Sequence, residues 1–255
     1  LLIDNETVGS KTVLISANGK TSVPFEIQIP RVGEIQVEAR ISADALLVDN
    51  HRYRIVEAVE KQSILFVESN RGSSRFLQFA LEPSDLARSD FRFVVVDPKS
   101  LAEEDLGDFQ FVFVDNVRGL SDADVLRLRR FAGSGGSIAI FLGDQVDRSS
   151  FNQAWRKPVA ELTTLPVELL GVAGVDSYRI DVMEYLSPML RSFRGNGDSG
   201  LTSMPSWNYY KCRIANQSLT RIDLALENGD PLLVTCNMGG GQCILFTSSS
   251  SSLSR

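Results

Sequence analysis

The sequence has one histidine, three cysteines, no apolar run of bilayer length and no block of basic residues. Each shortage closes off a class of function. With His51 alone, any Ser–His or Cys–His relay would have to use that single side chain. It stands in the turn VDNHRY with no candidate nucleophile beside it, and reads as a surface turn residue. Cys212, Cys236 and Cys243 form no C-x-x-C pair, which removes zinc sites and a disulfide scaffold. Basic residues are interspersed with acids in a chain of net charge −6, so nothing is concentrated to neutralise a phosphate backbone, and nucleic acid is excluded as a partner. No basic amphipathic stretch suits an anionic membrane surface. No segment approaches the ~20 apolar residues that cross a bilayer. The chain opens on Leu1-Leu2-Ile3 without Met and closes on serines 248–252, so both ends read as cuts in a longer chain, and membrane attachment is expected only through segments beyond them.

What is present is an ordinary globular composition, 43% apolar, in a chain long enough for one or two domains. Two patterns meet near residue 60. Before it, TVLISA (12–17), TSVPFEIQIP (21–30), GEIQVEARIS (33–42) and RYRIVEAVE (52–60) read as strands divided by turn residues such as Asn18-Gly19. In the third, Ile35, Val37, Ala39 and Ile41 alternate with polar residues, the pattern of a half-buried strand. After Lys61, SILFVE, FRFVVVD, FQFVFVD and GSIAIFLG are short, nearly continuous apolar runs, as in strands buried on both faces of a parallel sheet. Helical stretches lie between them. RGSSRFLQFALEP places Phe76, Leu77, Phe79 and Ala80 on one face. SDADVLRLRRFAG has Ser121 as N-cap and an apolar stripe of Val125, Leu128 and Phe131. Strand–helix alternation indicates a doubly wound α/β domain at 61–255 behind an antiparallel β-sandwich at 1–60. Residues 144–176 read as loops with a short helix; 209–215, 221–229, 231–236 and 243–248 read as further strands, the last pair a hairpin around MGGG.

Two glycine clusters invite a phosphate-binding reading and fail it. A phosphate loop needs strand, glycine-rich turn, then helix, so that the helix N-terminus faces the anion. Gly133–Gly136 follow a helix and precede a strand, and MGGG lies between two strands. Both read as turns, and no cofactor is implied. The position after the fourth strand, where a hydrolase would present a nucleophile, holds Gly143-Asp144.

Four acids fall at strand ends: Glu68, Asp97, Asp115 and Asp144. The C-terminal edge of a parallel sheet is where ligands bind, so these side chains are candidates for a ligand or Mg²⁺; equally, Asp-Pro and Asp-Asn form turns. Trp207, Tyr209 and Tyr210 are candidates for a partner surface, being residue types that dominate interfaces, or for cover over a sheet edge. Cys236 and Cys243 flank the MGGG turn and read either as buried thiols or as a cross-strand disulfide.

Three stretches together resemble the BatA-type, aerotolerance-related proteins of bacteria. PRVGEIQVEARISADALLVDNHRYRIVEAVEKQSILFVES is similar to the end of an immunoglobulin-like domain running into a Rossmann-like strand. FQFVFVDNVRGLSDADVLRLRRFAGSGGSIAIFLGDQVDRSSFN is similar to their strand, Leu-Ser, helix, Gly-Gly, strand, Leu-Gly segment, and ENGDPLLVTCNMGGGQCILFTSS to their closing hairpin. The likeness covers most of residues 22–250. It implies a class I glutamine amidotransferase-like α/β domain behind a truncated immunoglobulin-like sandwich, in a membrane-anchored envelope protein with its soluble part outside the cytoplasm. It carries over no catalysis. The amidotransferase pattern needs Cys at the turn and a later His, whereas position 144 is Asp and no His follows residue 51. The Asp-x-Ser-x-Ser motif of a von Willebrand factor A domain is absent too. The expected role is a non-catalytic interaction or scaffold module whose partners are other protein domains, of the envelope or of the same chain. The alternative is a ligand- or metal-binding or hydrolytic domain working through the acidic crevice.

Overall fold

The computed structural model describes residues 1–42, 49–83, 90–173, 178–181, 187–193, 200–203, 205–206 and 208–250. The chain divides into two compact units, Leu1–Lys61 and Gln62–Arg255.

The first unit holds β1 (Leu2–Ile3), β2 (Glu6–Thr7), β3 (Gly33–Arg40) and β4 (His51–Ala58) in one antiparallel sheet of order β2-β1-β3-β4. The expected strands at 12–17 and 21–30 do not form. The Asn18-Gly19 turn is there, with Asn18 at φ +61° and the Gly19 amide donating to Ser16 O. Its flanks find no strand partner, and Leu14 is 99% exposed. Apolar alternation becomes a strand only where a neighbour takes up its backbone hydrogen bonds. Among the described residues of this unit there is one sheet, and a second layer of a sandwich is not seen. The alternation in β3 also breaks. Ile35 is buried as expected, but the next buried residue is Glu38, while Ile41 is exposed. Glu38 is held by the Arg40 guanidinium at 2.9 and 3.0 Å and by His51 Nδ1 at 2.6 Å. His51 is thus the first residue of β4 and a partner of a buried acid, where the sequence suggests an idle turn residue.

The second unit is a mixed α/β, Rossmann-like body on a mostly parallel seven-stranded sheet. Its first strands are β5 (Gln62–Glu68), β6 (Phe91–Val96), β7 (Phe111–Asp115) and β8 (Ser137–Phe141). Then come β9 (Val167–Ala173), β10 (Tyr178–Arg179), β11 (Pro205–Ser206), β12 (Tyr209–Ile214), β13 (Thr220–Ala225), β14 (Pro231–Met238) and β15 (Gly241–Phe246). The sheet order is β13-β14-β15-β8-β7-β5-β6, with β6, β5, β7, β8 and β15 parallel and the last hairpin folded back on the edge. β9 was not expected; it pairs antiparallel with β12 in a separate two-stranded sheet.

Successive side chains of a strand point to opposite faces, and the two faces of this sheet differ. Leu65, Val67, Val112, Val114, Ile138, Ile140, Cys243 and Leu245 join one aliphatic core. On it pack helices α2 (Asp122–Gly133), through Val125, Leu128 and Phe131, and α3 (Arg148–Arg156), through Phe151 and Trp155. The α2 start follows the sequence reading: Ser121 Oγ accepts from the Asp124 amide, and Asp122 and Asp124 sit in the first turn. The opposite face carries a row of phenyl rings, Phe93, Phe66, Phe113, Phe141 and Phe246, with centroids 4.9 Å apart for Phe66–Phe113 and 4.5 Å for Phe141–Phe246. Helix α1 (Arg75–Leu81) departs from expectation. None of its residues is buried, and Phe76 and Phe79, read as its core face, are 59% and 54% exposed.

The two glycine clusters meet each other. The Gly240 amide donates to Gly133 O at 2.9 Å, and Gln242 N to Gly136 O at 3.3 Å. A Cβ on Gly241 would collide with the Gly136 carbonyl oxygen, and one on Gly136 with the Phe131 ring. The end of α2 and the β14–β15 turn therefore touch backbone to backbone, a closeness only glycine permits. Gly241→Ala is expected to cost about 3 kcal/mol or more through overpacking. Gly229→Ala, at φ +84° with nothing within 4 Å, should cost only the left-handed backbone penalty of ~1–2 kcal/mol. Urea denaturation of both variants checks the ranking.

Candidate functional site

In the parallel part of the sheet the chain steps outward from β5 to β6, then back to the far side of β5 with β7. This reversal puts the topological switch between β5 and β7, where an open α/β sheet leaves a crevice at its carboxyl edge. Glu68 and Asp115 end these strands and are Cα partners there. Both are buried. Glu68 accepts from the Gly72 amide, the Ser74 amide at 2.9 Å and Ser74 Oγ at 2.7 Å. It ties down the loop that leads into α1.

Asp115 is less well served. Ser250 Oγ donates to Oδ1, but Oδ2 is buried without a hydrogen-bond partner of good geometry, and so is Ser73 Oγ. Burial pushes the Asp115 carboxyl above its usual range. The Ser250 and Ser73 hydroxyls pull it partly back, and the neighbouring Glu68 charge adds to the rise. Ser250 reaches Asp115 because the chain leaving β15 crosses the end of β8 to β7, the order of those strands in the sheet. Ser250 thus covers part of the crevice.

Beyond β8, the turn Leu142-Gly143-Asp144 lies under Asn116. Asn116 follows β7 with φ +49°, a conformation Asn tolerates better than most residues. Its Nδ2 donates to Asp144 Oδ1 at 2.8 Å, and its Oδ1 accepts from the Gln145 amide at 2.9 Å. Any Cβ at position 143 would strike this amide group, so the residue before Asp144 has to be glycine. The turn carries no Ser or Cys, and His51 belongs to the other unit. Asp97 is exposed and caps its own turn, accepting from the Lys99 amide at 2.8 Å and the Ser100 amide at 3.2 Å.

The four acids are therefore partnered in different ways. Glu68 and Asp115 adjoin, Asp144 is tied to Asn116, which follows Asp115, and Asp97, just past the Val67–Val96 pair, is turned to capping its own loop. Among the described residues, no group of three His, Cys, Asp or Glu is placed to hold a metal ion. Asn116, Ser73, Ser74 and Ser250 shape this edge and went unnoticed in the sequence. The Asp115-Asn116 turn signal was the one available hint.

A cleft of about 270 Å³ opens beside Asp144, lined by Leu142, Gly143, Val172, Asn208, Thr247 and Ser249, with the edges of Tyr209 and Tyr210. The two tyrosines, candidates for a partner surface, prove to be core residues, 2% and 7% exposed. β12 is covered on both sides, so neighbouring side chains of opposite facing are both enclosed. Tyr210 OH donates to Val146 O and Tyr209 OH to Asp230, and burial with the Asp230 bond pushes the Tyr209 phenol up to about 12. Trp207 lies outside the described residues. Cys236 and Cys243 are Cα partners across β14–β15 with free thiols. Burial raises Cys236 to about 11 and Cys212 to about 12, and it pushes the Cys243 thiol well up too, which leaves all three poor nucleophiles.

The raised Asp115 carboxyl has a stability consequence. Between its ordinary value and its raised value the folded chain holds a proton that the unfolded chain has released, so stability falls as pH rises through that window. Asp115→Asn removes this loss. Its stability relative to wild type is expected to climb as pH rises from about 4 and to level off above the window. Urea denaturation across a pH series measures the difference, and a gap independent of pH would contradict the assignment.

No family model and no curated protein matches the chain. Among solved structures, it is similar to the cytoplasmic protein STM1381 from Salmonella typhimurium, with 14% identity over 87% of each chain and a TM-score of 0.54. It is also similar to the cytoplasmic protein STM3548 from Salmonella typhimurium, with 13% identity over 86% of each chain and a TM-score of 0.51. A ThuA-like protein from Bacteroides uniformis matches at 9% identity over 74% of this chain and 81% of that chain, with a TM-score of 0.44. At these identities the likeness to the two Salmonella proteins bears on the fold alone.

Proposed function

We propose that this chain is a non-catalytic interaction module: a class I glutamine amidotransferase-like α/β domain behind a partial immunoglobulin-like sheet, belonging to a membrane-anchored bacterial envelope protein of the BatA type. The observation that carries the reading is the turn after β8. Asn116 grips Asp144 at the place where an enzyme of this class presents its nucleophile. The one imidazole is engaged with Glu38 in the other unit, and burial keeps the thiols protonated. An interaction role draws support from α1, which turns Phe76 and Phe79 to solvent. Exposed neighbouring aromatics are a feature of partner surfaces. No helix among the described residues is long and apolar enough to cross a membrane, so the anchor in this reading lies in flanking segments.

The second reading, a ligand- or metal-binding or hydrolytic domain working through Glu68, Asp97, Asp115 and Asp144 together, has less support. Asp97 serves its own turn and Glu68 its own loop.

Photo-crosslinking in cells tests the module. A benzophenone side chain at position 76 of the full-length protein should give a defined adduct with a protein in the membrane fraction. The same group at exposed Ala102 should give none. Absence of the adduct, or recovery of the protein wholly outside the membrane fraction, would refute the reading. Turnover of chromogenic ester or amide substrates that disappears in Asp144→Asn would refute its non-catalytic part.

A further inference from the structure

The cleft beside Asp144 is independent of the α1 surface and has its own chemistry. It lies at the level carboxyl ends of β8 and β15, which pair in parallel up to Phe141 and Phe246, after which Leu142 N donates to Phe246 O. Its volume of about 270 Å³ falls near the lower end of small-molecule sites.

The lining is specific in what it offers. Tyr209 OH, Tyr210 OH and Thr247 Oγ1 already donate to Asp230, Val146 O and Pro231 O. They supply surface more than recognition. Leu142 and Val172 add apolar wall. Asp144 is the one charged side chain among the described lining residues, and it forms no ion pair with any described Lys or Arg. Its partners among the described residues are the neutral amides Asn116 Nδ2, at 2.8 Å, and Gln145 Nε2, at 3.3 Å. A carboxylate accepts about four hydrogen bonds, so acceptor capacity remains on the solvent side. The Asn116 grip and the obligatory glycine at 143 hold the group in place, which lowers the ordering cost of binding to it.

A fixed carboxylate at the mouth of a small, mostly apolar cleft with no cationic residue among its described lining selects against anions. It favours a compact ligand with one positive end and one apolar end. We infer that the cleft binds a small organic ammonium ion, with the N–H groups donating to Asp144 and the hydrocarbon part lying against Leu142, Val172 and the tyrosine edges.

Calorimetry with three probes of one shape tests this: cyclohexylammonium, cyclohexanol and cyclohexanecarboxylate, at physiological salt. Saturable binding of the amine is expected, about tenfold weaker for the alcohol and none for the carboxylate. Asp144→Asn keeps the acceptor for Asn116 and should weaken the amine at least to the level of the alcohol. Val172→Lys, at a 60% exposed position, places a competing ammonium at the cleft with Asp144 intact and should abolish amine binding. Should the Asn variant not fold, the Lys variant decides. No saturable amine binding, equal affinity for amine and alcohol, or amine binding unchanged in both variants would overturn the inference. None of these results bears on the α1 surface, so the two proposals fail separately.

Discussion

The sheet depends on two backbones in contact. The glycines that end α2 meet the glycines of the β14–β15 turn at Gly136 and Gly241, where neither position has room for a methyl group. That contact sets β15 alongside β8, with Gln242 opposite Ser137 and Phe246 opposite Phe141. The register carries through to the other end of both strands. There it puts Leu142-Gly143-Asp144 next to Thr247–Ser250, opens the cleft between them and brings Ser250 across to Asp115. Glycines that resemble a phosphate cradle thus act at a distance. They contribute to the carboxyl edge only by fixing how two strands line up.

At that edge the chemistry is decided by how each acid is partnered. Glu68 accepts several donors from the loop beside it and is locked into the architecture. Asp115 is buried with one oxygen lacking a well-aligned donor, and there the cost of desolvation outweighs its hydrogen bonds. Asp144 is gripped from behind by an amide and keeps an open side. Asp97 is turn chemistry. Acids that look equivalent as strand-final residues are a structural tie, a strained buried group, a presented charge and a cap.

Much of the architecture was legible in the sequence. The parallel strands announced themselves as unbroken apolar runs, because both faces of such a strand are enclosed. The α2 cap, its Val125–Leu128–Phe131 stripe and the closing hairpin followed from local rules. What failed were inferences that need a partner the sequence does not name. TVLISA and TSVPFEIQIP have strand composition and no strand partner among the described residues. β9 went unseen because its pairing with β12 spans a long separation in sequence. Phe76 and Phe79 have core composition on a helix that nothing described covers, while Tyr209 and Tyr210 have interface composition and lie in the core. The acids were found as a set, but their separation into distinct roles rests on Asn116, Ser73, Ser74 and Ser250. Polar residues in turns carry no periodic signal.

The central claim is that the strand-end acids act separately and form no common cation site. Carbon-13 NMR of the side-chain carboxyls at neutral pH, with and without millimolar Mg²⁺, tests it most directly. Unchanged carboxyl chemical shifts for Glu68, Asp97, Asp115 and Asp144 between the two conditions are expected. Concerted Mg²⁺-dependent changes at Glu68, Asp115 and Asp144 would contradict it.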